Sequence, residues 1–169
     1  MHTEAITTRR GVISIRPLRD GDTETVKTVF DRLGERSRRF RFGRSLSNLT
    51  AAELKLLAQV DFRHRVLVAY SGAAPVGIAH SVRGPGRCAE IAFAVGDEWQ
   101  RLGIGTALAK LLIEDAAAAG ITQVWAVMRL ENEAPLKLMG KTTTIVGRRI
   151  AGGELSVVGL TRKTNAAAA

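Results

Sequence analysis

In Val95-Gly-Asp-Glu-Trp-Gln-Arg-Leu-Gly-Ile-Gly-Thr106, two glycines one residue apart lie between an apolar run and a helical pattern. A turn of this kind presents unpaired backbone N–H groups at a helix start. Together with the positive end of the helix dipole they favour anionic oxygens, and glycine lets the backbone come close. The implied ligand carries a pyrophosphate. Just upstream, Glu90 is the single carboxylate in the otherwise apolar strand pattern Ala89-Glu-Ile-Ala-Phe-Ala-Val95. Its same-face neighbours Ala92 and Ala94 are small, which leaves room for a thin ligand, and partial desolvation there would suit Glu90 to act as a general base. The alternative is that Glu90 pairs with Arg87 or Arg65 and only supports the sheet. Cys88 shares that face by the two-residue period of a strand. It reads as a thiol nucleophile or, more simply, as a small apolar core residue. His64 and His80 show no metal-ligand spacing with Cys88, so no metal site is predicted and both are read as structural.

Two other phosphate-binding patterns fit the sequence poorly. A dinucleotide fingerprint starting at Gly103 needs a third small residue at position 108, which is Leu108, and further β-α-β units. The string Gly140-Lys141-Thr142 imitates the end of a P-loop, yet the first glycine of that motif falls on Pro135, inside a helical pattern.

The positioning elements follow from periodicity and punctuation. Val12 to Leu18 reads as a strand, Asp22 caps a helix through about Leu33, and Thr50 caps a second helix through Val60. Between them lies a basic patch, Glu35-Arg-Ser-Arg-Arg-Phe-Arg-Phe-Gly-Arg44. Residues 65–70, 75–82 and 88–95 are short apolar runs joined by tight turns, and they predict three antiparallel strands. Ile104, Leu108, Leu111, Leu112 and Ala116 make one apolar stripe of a helix closed by Gly120. A strand over 123–128 follows, then a helix capped by Asn132 that is expected to end at Gly140, because β-branched Thr142 to Thr144 disfavour helix. Residues 145–150 and 154–160 predict a hairpin across Gly152-Gly153.

Composition bounds the rest. A chain of 169 residues, 46% hydrophobic and without a Pro/Gly/Ser-rich linker, predicts a single domain over 1–169 with residues 1–10 and 161–169 as flexible tails. Twenty-five Lys and Arg against sixteen Asp and Glu give a formal charge of +9, which attracts phosphorylated cofactors or acidic surfaces. Nucleic acid is a poor fit, since aromatics make up only 5% and no recognition module is visible. One cysteine allows no internal disulfide, and no run is long enough to span a bilayer. The expectation is a soluble cytoplasmic protein with no membrane partner, as a monomer or homodimer.

Gln100-Arg-Leu-Gly-Ile-Gly105 resembles the Gln/Arg-x-x-Gly-x-Gly/Ala signature of the GNAT superfamily of acyl-CoA-dependent N-acyltransferases, and the resemblance in element order covers roughly Ile13 to Leu160. It implies an α+β, GNAT-like, mixed and mostly antiparallel central sheet flanked by about four helices, in the order β-α-α-β-β-β-α-β-α-β-β. It also implies acetyl-CoA as co-substrate. Phe93, Ala94 and Val95 would line pantetheine, while Gln100, Arg101, Leu102, Gly103, Ile104, Gly105 and Thr106 would hold pyrophosphate. Asn132 matches a position that contacts the cofactor, and an ordinary N-cap role is compatible with it. Many members carry a tyrosine that protonates the leaving thiolate, seven residues after that asparagine. Here the position is Met139, so the general acid is unassigned; the only tyrosine, Tyr70, lies on an earlier strand.

Leu33 to Phe42, Val60 to Ala69 and Ala89-Glu-Ile-Ala-Phe also resemble the acyltransferase domains of bacterial protein lysine acetyltransferases. In these domains the glutamate of the Ala-Glu-Ile-Ala-Phe strand is the base. By that likeness Arg36, Arg38 and Arg39, with Arg41 and Arg44, border the acceptor site, or alternatively cover the sheet edge or approach the CoA phosphates. The resulting expectation is direct attack of a protein lysine on acetyl-CoA with Glu90 as base. A small-molecule amine acetyltransferase and a non-catalytic acyl-CoA-binding module are the alternatives.

Overall fold

A computed structural model describes residues 3–161. Its strands are β1 (Glu4–Thr8), β2 (Gly11–Pro17), β3 (His64–Ser71), β4 (Ala74–Arg83), β5 (Cys88–Val95), β6 (Gln123–Arg129), β7 (Thr143–Ala151) and β8 (Glu154–Thr161). The helices are α1 (Thr23–Asp31), α2 (Glu35–Phe42), α3 (Ala51–Leu57), α4 (Ile104–Ala118) and α5 (Glu133–Thr142). One sheet runs in the order β1-β2-β3-β4-β5-β6-β8-β7, and only β5 and β6 pair in parallel. The α+β class and the mostly antiparallel sheet match the expectation. No helix among the described residues is long and apolar enough to cross a membrane.

Helices cover both faces of the sheet. On one, α4 buries Ile104, Leu108, Leu111, Leu112 and Ala116 against Leu67, Ile91 and Val124, the stripe its spacing predicts. Full burial of a Leu or Ile is worth roughly 1.5–3 kcal/mol, so this stripe pins the start of α4 relative to β5. On the other face α1 and α3 pack Val26, Val29, Leu54 and Leu57 over Val66, Val68 and Ile78. The Asp22 and Thr50 caps form as predicted, the second as a full capping box with Glu53.

Three expectations are corrected. Residues 4–8, expected in a flexible tail, form β1 and pair antiparallel with β2, with Ile6 opposite Ile13 and packed on the core. Residues 1, 2 and 162–169 of the expected tails lie outside the described residues. The basic patch is the helix α2, which makes five helices among the described residues. None of its residues is buried, so it shows no apolar stripe. It starts at Gly34, ends at Gly43 in the left-handed region (φ 71°), and sets Phe42 edge-on to Phe30 at 5.7 Å. Finally, α5 runs two residues past Gly140, because the Thr142 and Thr143 hydroxyls donate to the carbonyls of Leu138 and Met139.

Candidate functional site

The parallel ladder between β5 and β6 is three rungs long: Cys88 opposite Gln123, Ala89 opposite Val124, Glu90 opposite Trp125. Beyond Glu90 the strands part. A cleft of about 490 Å³ opens between Ile91 to Val95 on one side and Ala126 to Met128 on the other, a volume suited to a cofactor-sized ligand. The direction of the backbone groups along β5 is set by its neighbours. Cys88 O accepts from Gly84 N and Gly96 N donates to Val76 O, both toward β4, whereas Arg87 O accepts from Thr122 and Gln123 on the β6 side. By strand alternation the N–H and C=O groups of Ile91, Phe93 and Val95 therefore face the cleft. Gln100 Nε2 donates to Val95 O at 3.1 Å, which leaves Ile91 and Phe93 without a strand partner on that edge. Backbone groups so exposed suit a ligand with amides of its own. Among the residues expected to line pantetheine, Phe93 carries such an edge, Val95 has its carbonyl occupied, and Ala94 turns its backbone to β4. Ile91 is not among the residues the sequence singles out; it emerges from the pairing of β5 with its neighbours.

At the far end of the cleft, Gly103 precedes α4 at φ 83° with no side-chain cap, and Arg101 also adopts a left-handed φ of 56°. Two left-handed residues in four turn successive N–H groups inward beside the α4 N-terminus, a cradle for anionic oxygens. Gln100, Arg101, Gly103, Gly105 and Thr106 line the cleft. Leu102 and Ile104 do not: both side chains lie in the core, so only their backbones can contribute. Gln100 braces the turn through hydrogen bonds to Val95 O, Ser37 Oγ and Asp97 Oδ1.

The opposite wall is α5. Asn132 is its N-cap by position but makes no side-chain capping bond and instead lines the cleft, with Pro135, Leu138 and Lys141. Lys141 belonged to the P-loop imitation; its value is that α5 presents it toward the cleft. Met139 is fully buried, and Tyr70 lies in the other core under the Arg16 guanidinium. Neither is among the cleft-lining residues.

Glu90 closes the last rung of the ladder, one residue before the cleft begins at Ile91; it is not among the cleft-lining residues and, by alternation, projects to the α2 side. It is exposed, contrary to the expected desolvation, since Val82 opposite it is itself 38% exposed and this corner of the sheet is thinly covered. The two arginines considered as its structural partners are engaged elsewhere. Arg65 bridges Asp115 at 2.7 Å and Arg87 Nε donates to Gly120 O at 2.9 Å. Cys88 contacts Gln123 Oε1 at 3.7 Å. Among the described residues no cluster of His, Cys, Asp and Glu suits a metal ion.

The arginines of α2 divide. Arg36 and Arg41 line the cleft. Arg38 stacks over Phe30 and donates to the carbonyls of Leu46 and Ser47, and Arg39 pairs with Glu131 at 3.2 Å, so neither of these two borders the cleft as expected. Arg41 Nη2 donates to His80 Nδ1 at 3.5 Å, and His80 Nε2–H donates to Leu57 O at 3.0 Å, a tautomer assigned from these partners. Burial, opposed by the Glu90 charge, pushes the Arg41 guanidinium down to about 10, still a cation at neutral pH.

Burial first, then the Arg41 charge, pushes His80 down from 6.5 to about 3. Below pH 6.5 the unfolded chain takes up a proton at this site that the native protein refuses. The stability linked to His80 is therefore complete above about pH 6.5 and is lost as pH falls toward 3. Between pH 7 and pH 4.5 the loss should be roughly 2 kcal/mol. Urea unfolding at both pH values should show that loss in the wild type and a loss smaller by about that amount in His80→Gln; equal losses would contradict the assignment.

Comparison with known proteins bears on this geometry. The profile of the acetyltransferase (GNAT) family matches residues 32–141. An acetyltransferase of Pseudomonas aeruginosa is 31% identical over 129 residues, covering 72% of this chain and 69% of that protein. Among solved structures, the GNAT domain of S. lividans PAT superposes with a TM-score of 0.84 at 22% identity, over 94% of this chain and 96% of that one. A cAMP-binding acyltransferase from Mycobacterium smegmatis aligns with a TM-score of 0.66 at 26% identity over 98% of this chain. This chain spans 49% of that protein.

Proposed function

Because the chain belongs to the GNAT acetyltransferase family and is an acyl-CoA-dependent N-acetyltransferase, we propose that it transfers the acetyl group of acetyl-CoA directly to a protein lysine, with Glu90 as general base. The observation that carries this reading is the end of the β5–β6 ladder at Glu90. Glu90 stands one residue before the cleft-lining run that begins at Ile91, while the Gly103 turn offers a phosphate cradle at the other end. Pantetheine amides pair with the free edge at Ile91 and Phe93, the pyrophosphate takes the N–H groups from Arg101 to Thr106, and Asn132 contacts the cofactor from α5.

Glu90, directly or through a water, removes a proton from the acceptor ammonium. The amine nitrogen forms a bond to the thioester carbon and gives up its surplus proton to solvent, the carbon–sulfur bond breaks, and the CoA thiolate takes a proton from solvent, since Met139 replaces the usual tyrosine. An N–H of Ile91 or Phe93 would hold the oxyanion; loss of such a donor typically costs about 10²-fold or more. No covalent enzyme intermediate is needed. The protein-lysine acceptor is supported by the likeness of 33–42, 60–69 and 89–93 to bacterial protein lysine acetyltransferases and by the fold shared with the GNAT domain of S. lividans PAT. A cytoplasmic site of action belongs to the same reading.

The test is competition. With acetyl-CoA and equal concentrations of a lysine-bearing protein, a polyamine and an aminoglycoside, CoA release should follow the protein acceptor. Faster release with either small amine would overturn the choice of acceptor.

A further inference from the structure

The guanidinium of Arg41 is set differently from its neighbours on α2. Arg38 is committed to two carbonyls and Arg39 to Glu131. Arg41 is half-buried and lines the cleft, and among the described residues no carboxylate forms an ion pair with it. One end of its fork is fixed on the Nδ1 of a neutral histidine whose own N–H is held by Leu57 O. The remaining guanidinium donors make no hydrogen bond among the described residues, and the carboxylate whose charge reaches Arg41, Glu90, forms no ion pair with it. A cation taken partly out of water gains most from an anion that accepts two hydrogen bonds from it.

Position decides which anion that is. Helix α2 lies along β5, with Ser37 against Gln100 at the phosphate end. Arg41 is one helical turn further on, against His80, and His80 stands opposite Ala92 on β5; the next pair on that face is Val82 opposite Glu90. Arg41 therefore stands at the acceptor end, away from the Gly103 cradle.

We propose that Arg41 binds a carboxylate carried beside the acceptor amine, so that the preferred acceptor is a lysine with an adjacent acidic side chain. This rests on the lysine reading above and narrows it. A cleft edged by Arg36 and Arg41 repels a bare polyamine but admits an ammonium whose neighbour is an anion, and Glu90 is then left free to take the proton.

Two peptides that differ only in Asp or Asn preceding the lysine test this with acetyl-CoA and the full chain. For the wild type, kcat/KM should be roughly tenfold higher with the Asp peptide, the difference should lie in KM, and it should shrink as salt is raised. The ratio should fall to about one in Arg41→Gln, with Arg41→Lys keeping part of it. A wild-type ratio near one overturns the proposal whatever the variants do. So does a ratio that survives in Arg41→Gln shown to be folded by thermal unfolding, because Arg41 would then act on Glu90 and not on the acceptor. Acetylation of a small amine but of neither peptide would refute the lysine reading itself, and this inference with it.

Discussion

Replacing Glu90 by Gln should lower kcat/KM for acetyl transfer by roughly 10²- to 10³-fold while leaving acetyl-CoA affinity and thermal stability unchanged. General acid–base catalysis by a positioned side chain contributes typically 10²–10⁴-fold, and a solvent-accessible site retains some transfer to water. Glu90 is exposed and forms no hydrogen bond or ion pair among the described residues, its charge acting on Arg41 only at a distance, so the amide breaks no direct contact. It also projects to the α2 side of the sheet, whereas the groups assigned to pantetheine lie on the strand edge at Ile91 and Phe93. Base and donor site are thus separable in one measurement: steady-state kinetics with a saturating amine, beside isothermal titration with acetyl-CoA. Unchanged kcat/KM at neutral pH would remove Glu90 from the mechanism. A parallel loss of acetyl-CoA binding would make it part of the donor site.

The second large effect is at the other end of the cleft. Gly103 has φ 83°, a conformation that a β-branched residue adopts only with strain of order 1–3 kcal/mol, and no heavy atom lies within 4 Å of where a Cβ would stand. That open space is where the phosphates are assigned. Gly103→Val should therefore displace the first N–H groups of α4 and fill the approach, weakening acetyl-CoA binding by roughly tenfold to a hundredfold. Titration of the folded variant with acetyl-CoA reads this directly; wild-type affinity would show that the turn does not hold the cofactor. Gly105 is a gentler site, since a Cβ there meets only ordinary contacts with Leu138 and Val95.

Much of this arrangement is legible in the chain, for reasons that differ from element to element. The apolar runs at 66–70 and 76–81 are buried on both faces and that at 88–95 is apolar on both, so their strands announce themselves by composition. The stripe from Ile104 to Ala116 buries one side of α4, and Gly103 and Gly120 mark its ends. By contrast, α2 leaves no residue buried and is held by glycine caps, a Phe30–Phe42 contact and guanidinium stacking, none of which has a period. Strand β1 is short and half-exposed at the sheet edge, and only Ile6 packs inward. Thr142 and Thr143 look like helix breakers but satisfy helical carbonyls through their hydroxyls.

The site divides in the same way. The Gly103 turn is local and is visible as a motif. Where β5 leaves β6, and which of its residues turn their backbone to the gap, depends on pairing partners distant in sequence, so Ile91 emerges only from the register. The apolar faces of β5 suggested an enclosed Glu90, yet its corner is open because its neighbour Val82 is itself uncovered. Arg41 is one of five arginines in ten residues, and only its contact with His80 and its place on the cleft separate it from Arg38 and Arg39.

The most direct test of direct transfer is a single-turnover experiment with wild-type protein, stoichiometric acetyl-CoA and a lysine peptide, read by intact mass. The acetyl group should appear on the peptide as CoA is released, with none on the protein before the peptide is added. An acetyl group on the protein, for instance on Cys88, that then moves to the peptide would contradict direct attack, and release of CoA with the peptide unmodified would contradict the lysine acceptor.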